Sequence, residues 1–210
     1  MRDLKIYQIY FDDESKKNCI EHEDVIQYHN DELPRPLYEN KVISQLVPLE
    51  DECKRIGVFS HKYSSKIGVG IDAIKQRDED VITFFKISKG DYWGNFEKWH
   101  KGGLRALMIL NKKHGWGIDF RVNPSTIVYQ NHFVAESNIY KKYVHNFLNP
   151  VIKDILNPNN EELYELVNRK TLIQRYVNET MHTFLLERLF SVFLTVNTYR
   201  THQFNILYLN

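Results

Sequence analysis

The sequence predicts an α/β fold, and three observations predict it. Leu4 to Phe11 is a nearly continuous apolar run rich in β-branched and aromatic residues, as in a strand buried on both faces. Arg55 to Phe59 and Val81 to Ile87 repeat that character. Between and after these runs, apolar residues recur at spacings of three and four, the period of helices packed on a sheet.

The first run stops at Asp12-Asp13, a carboxylate pair that can serve as turn, helix cap or receiver of ligand hydroxyls. Ser15 to Leu33 is polar and weakly patterned, a loop with a short element. Leu33-Pro34-Arg35-Pro36 is a stiff extended linker, because each proline disfavours helix in the residue before it. Val42, Ile43, Leu46 and Val47 then mark a helix over 38–47 that Pro48 ends, with Lys41 on its surface. The second strand, Ile56 to Phe59, breaks into Ser60-His61-Lys62. Ligands of open α/β sheets sit at the carboxyl ends of strands, so an anion arriving there would meet these three side chains. Gly68 and Gly70 suggest a turn, and Ile71 to Lys75 a short helix.

Asp78-Glu79-Asp80 has the spacing that can hold a divalent cation beside a diphosphate. It precedes the third strand, which places it at the amino edge, opposite the expected ligand edge. Asp91 to Asn95 is an aromatic loop. A helix from about 95 to 113 is interrupted at Gly102-Gly103, with His100 just before the break. Ser125 to Tyr129 is a strand candidate leading into Asn131-His132-Phe133. A helix over 137–156 is bent or divided by Pro150, and Glu161 to Asn168 starts another. Met181 to Val196 is apolar enough to be largely buried. Thr180, Thr183, Glu187 and Ser191 form one narrow polar stripe on it, facing either solvent or a polar cleft. Phe204 to Leu209 closes the chain as a short strand.

Composition narrows the functional classes. The 210 residues carry a formal net charge of +1 with both signs interspersed, so no basic stripe exists to neutralise a nucleic-acid backbone. Two cysteines far apart, Cys19 and Cys53, make neither a zinc cluster nor a disulfide framework, and a reducing cytoplasmic setting is the expectation. The amino terminus lacks a signal-peptide pattern and no apolar run is long enough to span a bilayer. Peripheral membrane attachment stays open, because surface patches are invisible in sequence. No GxGxxG, GxxxxGK[ST] or HExxH pattern occurs. No internal repeat or flexible linker divides the chain, so a single domain over 1–210 is expected.

Taken together, several short motifs resemble a family of small bacterial proteins assigned as glycosyltransferases of exopolysaccharide and capsule synthesis. The family's second strand reads like Gly-Leu-x-His-Tyr-Arg-Arg, where this chain has Gly57-Val58-Phe59-Ser60-His61-Lys62-Tyr63. An aromatic loop and histidine-bearing helix correspond to Tyr92, Trp93 and His100. An Asn-x-Phe before a Tyr-rich helix corresponds to Asn131-His132-Phe133 and Tyr140-Lys141-Lys142-Tyr143, and a late Glu-Arg-Leu-Phe to Glu187 through Phe190.

The resemblance implies a GT-A-like, Rossmann-like sandwich around a mixed central sheet, and transfer of a sugar from a nucleotide-sugar to a glycan or lipid-linked acceptor. Most such enzymes end a strand in a DxD that holds a metal. Here the strand in that place delivers Ser60, His61 and Lys62, so no metal and no other cofactor is expected: lysine or protonated histidine would neutralise the leaving diphosphate. On this reading Tyr10 and Asp12 flank the nucleoside, and Ser60, His61 and Lys62 hold the diphosphate. Trp93, His100, Asn131 and His132 shape the sugar or acceptor site. Glu187 deprotonates the acceptor or contacts the sugar, and Arg188 positions it or contacts phosphate. The alternative is a non-catalytic glycan- or nucleotide-binding scaffold on the same fold. A metal-dependent hydrolase built on Asp12 and Asp13 is the weaker third reading.

Overall fold

The computed structural model describes residues 2–30, 37, 39–46, 53–86, 91–128, 130–170 and 180–206. The proline-rich linker at 33–36 and the expected ends at Val47, Ile87, Tyr129 and Leu209 lie outside them. Among the described residues one sheet organises the molecule. Its strands are β1 (Arg2–Tyr10), β2 (Val25–His29), β3 (Cys53–Ser60), β4 (Val81–Lys86), β5 (Phe133–Glu136) and β6 (Thr201–Ile206). Their spatial order is β2-β1-β3-β5-β4-β6. β1 pairs parallel with both β2 and β3, β4 pairs parallel with β6, and β5 runs antiparallel between β3 and β4.

The helices are α1 (Asp13–Lys16), α2 (Glu39–Gln45), α3 (Tyr63–Lys66), α4 (Ile71–Lys75), α5 (Tyr92–Trp99), α6 (Gly103–His114), α7 (Ser137–Tyr143), α8 (Asn149–Ile155), α9 (Glu161–Asn168) and α10 (Met181–Val196). The period-2 alternation of each strand divides the core into two layers. Ile9, Ile56, Val58 and Phe133 face α2, α6–α8 and α10. Leu4, Ile6, Phe59 and Val134 face α3 and α4. Gly57 is required between them: a Cβ there would meet Ile6 Cγ1 at 2.8 Å and Val134 Cγ2 at 2.9 Å.

Two expectations are corrected. Residues 125–128 are not a strand; the strand is Phe133–Glu136, so Asn131-His132 opens a strand rather than closing one. The polar stretch after Asp13 contains both α1 and the edge strand β2. The long helix beginning at Ser137 carries a π-helical segment, Val144–Leu148, just before Pro150, whose missing N–H cannot continue an α-helical ladder. The break at Gly102-Gly103 is real. Gly102 takes φ +91°, and a Cβ on it would meet Leu166 Cδ2 at 2.9 Å.

α10 is as apolar as its sequence suggests. Phe190 stacks on Phe133 at 3.8 Å between ring centroids. Its polar stripe turns inward: Thr183 and Ser191 are buried, and Ser191 Oγ accepts from Val128 N–H at 2.9 Å. Among the described residues no helix is long and apolar enough to cross a membrane.

Candidate functional site

The sheet order places β2 on one side of β1 and β3 on the other. Chain direction therefore diverges between β1 and β3, and their carboxyl ends open a crevice. A cleft of about 350 Å³ occupies that position, lined by Asp12, Glu14, Ser15, Asn18, His61, Lys62 and Ser65. One wall is the turn into α1 and the other is the turn into α3. β3 ends at Ser60, and the next two residues have left strand geometry, so His61 and Lys62 both line the cleft instead of alternating across the sheet. His61 N–H still donates to Ile9 C=O at 2.9 Å, which pins this turn to β1.

Each wall has a local cause. Asp12 caps α1 in a reciprocal capping box: its Oδ1 accepts from Ser15 N–H at 2.7 Å while Ser15 Oγ accepts from Asp12 N–H at 3.0 Å. The Ser15 hydrogen bonds hold the Asp12 carboxyl below the usual carboxylate range. Tyr10 stacks on His29 with centroids 4.9 Å apart and has Lys16 over its ring. Across the cleft, Ser60 is buried and its Oγ accepts from Lys62 N–H at 3.3 Å.

β5 brings a third group to the same edge, because its antiparallel course sets its start beside the end of β3. His132 is fully buried and its Nδ1 accepts from Ser60 N–H at 3.4 Å. Gln130 and Asn131 both take left-handed backbone, φ +52° and +59°, which neither residue adopts freely. Lys66 Nζ donates to Gln130 Oε1. Burial, Lys66 and His61 push His132 down to about 3. Burial and then Lys62 push His61 down, with Asp12 opposing. Burial thus favours the neutral imidazole at both positions. Among the described residues His61 Nδ1, His132 Nε2 and Asn131 Oδ1 are buried without a hydrogen-bond partner.

The fourth contribution comes from α10 and α2, which pack together. Arg188 Nη1 lies 3.5 Å from Glu187 Oε2, with 20% and 18% of the two side chains exposed. The guanidinium sits over the rings of Phe96 (5.1 Å) and Tyr92 (5.5 Å). Burial pushes Glu187 up, with Arg188 and Lys66 opposing. Glu39, the first residue of α2, is a participant that sequence reasoning missed. Burial, with a smaller push from Glu187, raises it to about 7 against its own backbone hydrogen bond and the charges of Lys62 and Lys66. Glu39, Glu187, Lys62 and Lys66 thus share one electrostatic environment. In sequence, an acidic residue at a helix start is the ordinary complement to the helix dipole, and nothing local distinguishes Glu39 from that role.

Two expected residues are built into the core. Trp93 is 1% exposed, donates from Nε1 to Val122 C=O at 2.9 Å, and has Tyr92 and Phe120 against its ring. His100 is 4% exposed and stacked on Phe184 at 4.0 Å, and burial and Arg188 push it down to about 4. Both are covered within the core, Trp93 by Tyr92 and Phe120 and His100 by Phe184. Among the described residues no group of three His, Cys, Asp or Glu is arranged to hold a metal ion.

A six-stranded mixed sheet flanked by helices, with a polar cleft at the divergence of β1 and β3, defines a GT-A-like α/β fold. Comparison with solved structures agrees: the chain is similar to the WbbM bifunctional glycosyltransferase in its apo state, with a TM-score of 0.58 and 13% identity. The match covers 96% of this chain and 44% of that one, so this chain spans less than half the length of its structural neighbour. No family model matches the chain, and no curated protein matches it.

Proposed function

We propose that the protein is a glycosyltransferase that moves a sugar from a nucleotide-sugar to a glycan or lipid-linked acceptor, with protein cations in place of a metal at the diphosphate. The observation that carries this reading is the two-walled cleft at the β1/β3 switch point, with the Asp12 carboxylate, held as the cap of α1, on one side and Lys62 with His61 on the other. Tyr10 and Asp12 take the nucleoside, and Ser60, His61 and Lys62 take the diphosphate. The acceptor oxygen attacks the anomeric carbon, the bond from that carbon to the diphosphate oxygen breaks, and the electron pair leaves with the diphosphate. Lys62 stabilises the charge that develops there. The acceptor's hydroxyl proton passes to the carboxyl pair Glu39–Glu187. A carboxyl group near 7 is matched to this work at neutral pH. Arg188 holds Glu187 in place from its aromatic seat.

Calorimetric titration with nucleoside diphosphates, with and without manganese, tests the reading. Binding is expected in both arms, with uptake of a proton. An arriving diphosphate raises the depressed His61, so protonation accompanies binding at pH values between its free and bound pKa. The binding enthalpy will then vary with the ionisation enthalpy of the buffer. A folded protein that binds no nucleoside diphosphate, or binds only with manganese, overturns the proposal. Tight binding without turnover of any nucleotide-sugar would favour the scaffold alternative.

A further inference from the structure

We infer that the corner formed by α5 and α6 is a docking surface for an anionic lipid bilayer. On α6 and the turn before it, Lys101, Arg105, Met108 and Lys112 are all exposed. Arg105, Met108 and Lys112 are spaced by three and four and so share one face of α6, running for about 10 Å at 1.5 Å per residue, and Lys101 lies just before the helix, across the left-handed Gly102. α6 contains no acidic residue. Trp99, at the end of α5, adjoins this stripe with 54% of its surface exposed, and Met108 is 47% exposed. Lys98 Nζ lies 5.5 Å from the Trp99 ring centre.

Tryptophan has an apolar body and a polar N–H, the combination that settles at a membrane–water interface. Lysines beside it match an anionic headgroup layer. Two carboxylates lie beside the patch, and both are engaged: Glu162 of α9 holds Arg105 at 2.7 Å, and Glu97 accepts from the backbone N–H groups of Gly102 and Leu104 at 2.8 and 2.9 Å. Among the described residues Lys98, Lys101 and Lys112 form no ion pair with a carboxylate. The whole chain is nearly neutral, at +1, so this clustering is local and does not follow from overall composition. The stripe also lies close to the candidate site. α5 begins with Tyr92, over which Arg188 sits, and ends with Trp99 seven residues on. A bilayer touching Trp99 would thus lie one short helix from Glu187–Arg188, where a lipid-linked acceptor would be presented. The docking surface itself stands without the glycosyltransferase reading.

The test is co-sedimentation of the full chain with vesicles of phosphatidylcholine, alone or mixed with phosphatidylserine, with tryptophan emission recorded in parallel and no donor or acceptor present. Sedimentation with the anionic vesicles alone is expected, and it should weaken as salt rises. Each of Lys101→Ala and Lys112→Ala should weaken partitioning about fivefold, the equivalent of roughly 1 kcal/mol per lysine near a charged bilayer. The emission should shift to the blue on binding, and Trp99→Phe should abolish that shift. Trp93 is buried and Trp116 is stacked between His114 and Phe147, so neither would report it. No sedimentation with anionic vesicles overturns the proposal, as does binding that the lysine variants leave unchanged. Retention of RNA in place of vesicles through the same lysines would also overturn it. Nucleotide binding, measured separately by calorimetry, reports on the cleft alone, so failure of one reading is distinguishable from failure of the other.

Discussion

The two edges of the sheet each carry a charged cluster, and the clusters differ in how completely they are satisfied. At the amino edge, Asp78, Glu79 and Asp80 each have a basic neighbour. Arg200 lies 2.8 Å from Asp80 and 3.9 Å from Asp78, and His202 lies 3.5 Å from Glu79. Arg200 also donates from its own backbone N–H to Asp80 Oδ2, so the triplet ties the start of β4 to the start of β6. At the carboxyl edge, His61, His132 and Asn131 keep buried polar atoms without partners among the described residues, two residues hold left-handed backbone, and Glu39 is raised to about 7. Unpaired buried polar groups each cost on the order of 1–3 kcal/mol. The amino edge is not free of them, since Glu79 Oε2 is buried without a hydrogen-bond partner among the described residues, but each of its three acids is held by a basic neighbour. A DxD spelling is thus less informative than its pairing: the triplet here ties β4 to β6, and more of the unpaired groups gather at the carboxyl edge.

The sharpest way to break this contrast is at the carboxyl pair. Glu39→Gln and Glu187→Gln should each lower turnover by about 10²–10⁴, the usual loss when a positioned base is removed. In the parent protein kcat/KM should fall about tenfold per pH unit below 7, since the raised Glu39 must lose its proton to act. Glu39→Gln should remove that limb while leaving nucleoside diphosphate affinity near the parent value. A limb that persists in both variants would assign the titration to another group.

Next in size is Lys62. It reaches the cleft through the turn that ends β3. A charge-assisted bond to phosphate contributes roughly 1.5–3 kcal/mol, so Lys62→Ala should weaken nucleoside diphosphate binding by about 10- to 100-fold. Titration calorimetry reads this directly. The same measurement on Lys75→Ala, whose lysine is tied to Asp24 at 2.7 Å on the far side of α4, should show no change. Equal losses in the two variants would mean that the cleft lysine acts through the overall field alone.

How much of this was visible beforehand follows the range of the physics. β1, β3, β4 and α10 were legible because a strand or helix buried on the sheet must be apolar at its own period, and that pattern is local. So was the placement of Ser60, His61 and Lys62 at the carboxyl edge of the sheet, since a strand end and a break in periodicity mark it. β5 was misplaced. The β-branched Thr126-Ile127-Val128 reads as the strand leading into Asn131-His132-Phe133, whereas among the described residues it is Phe133–Glu136 that pairs with β3 and β4 and runs straight into α7. Trp93 and His100 could not be told from ligand-binding aromatics, because what decides is whether Phe120 and Phe184, distant in sequence, cover them. Glu39 was silent for the same reason. Its role arises only when α2 packs on α10, a contact between residues far apart in the chain.

The smallest expected effect lies at the amino edge, and its sign separates the clusters. Asp80 is held below its usual pKa: burial opposes this, but hydrogen bonds and charge from Arg200 prevail. A carboxyl group with a depressed folded-state pKa stabilises the fold above its unfolded value of 3.8, and that stabilisation is lost as pH falls through the folded value. Arg200 is 63% exposed, so solvent screening keeps the contribution small. Asp80→Asn should therefore lower the melting temperature by about 2 °C or less at pH 7. Parent and variant should converge only once pH has fallen below the depressed folded-state value of Asp80, where both side chains are neutral. Nucleoside diphosphate affinity should be unchanged, with or without manganese. Thermal melts across pH and one titration suffice to check this. If Asp80→Asn abolished manganese-dependent binding while melting like the parent, the two edges would have to exchange roles, with the acid triplet as the ligand site and the basic turn as scaffold.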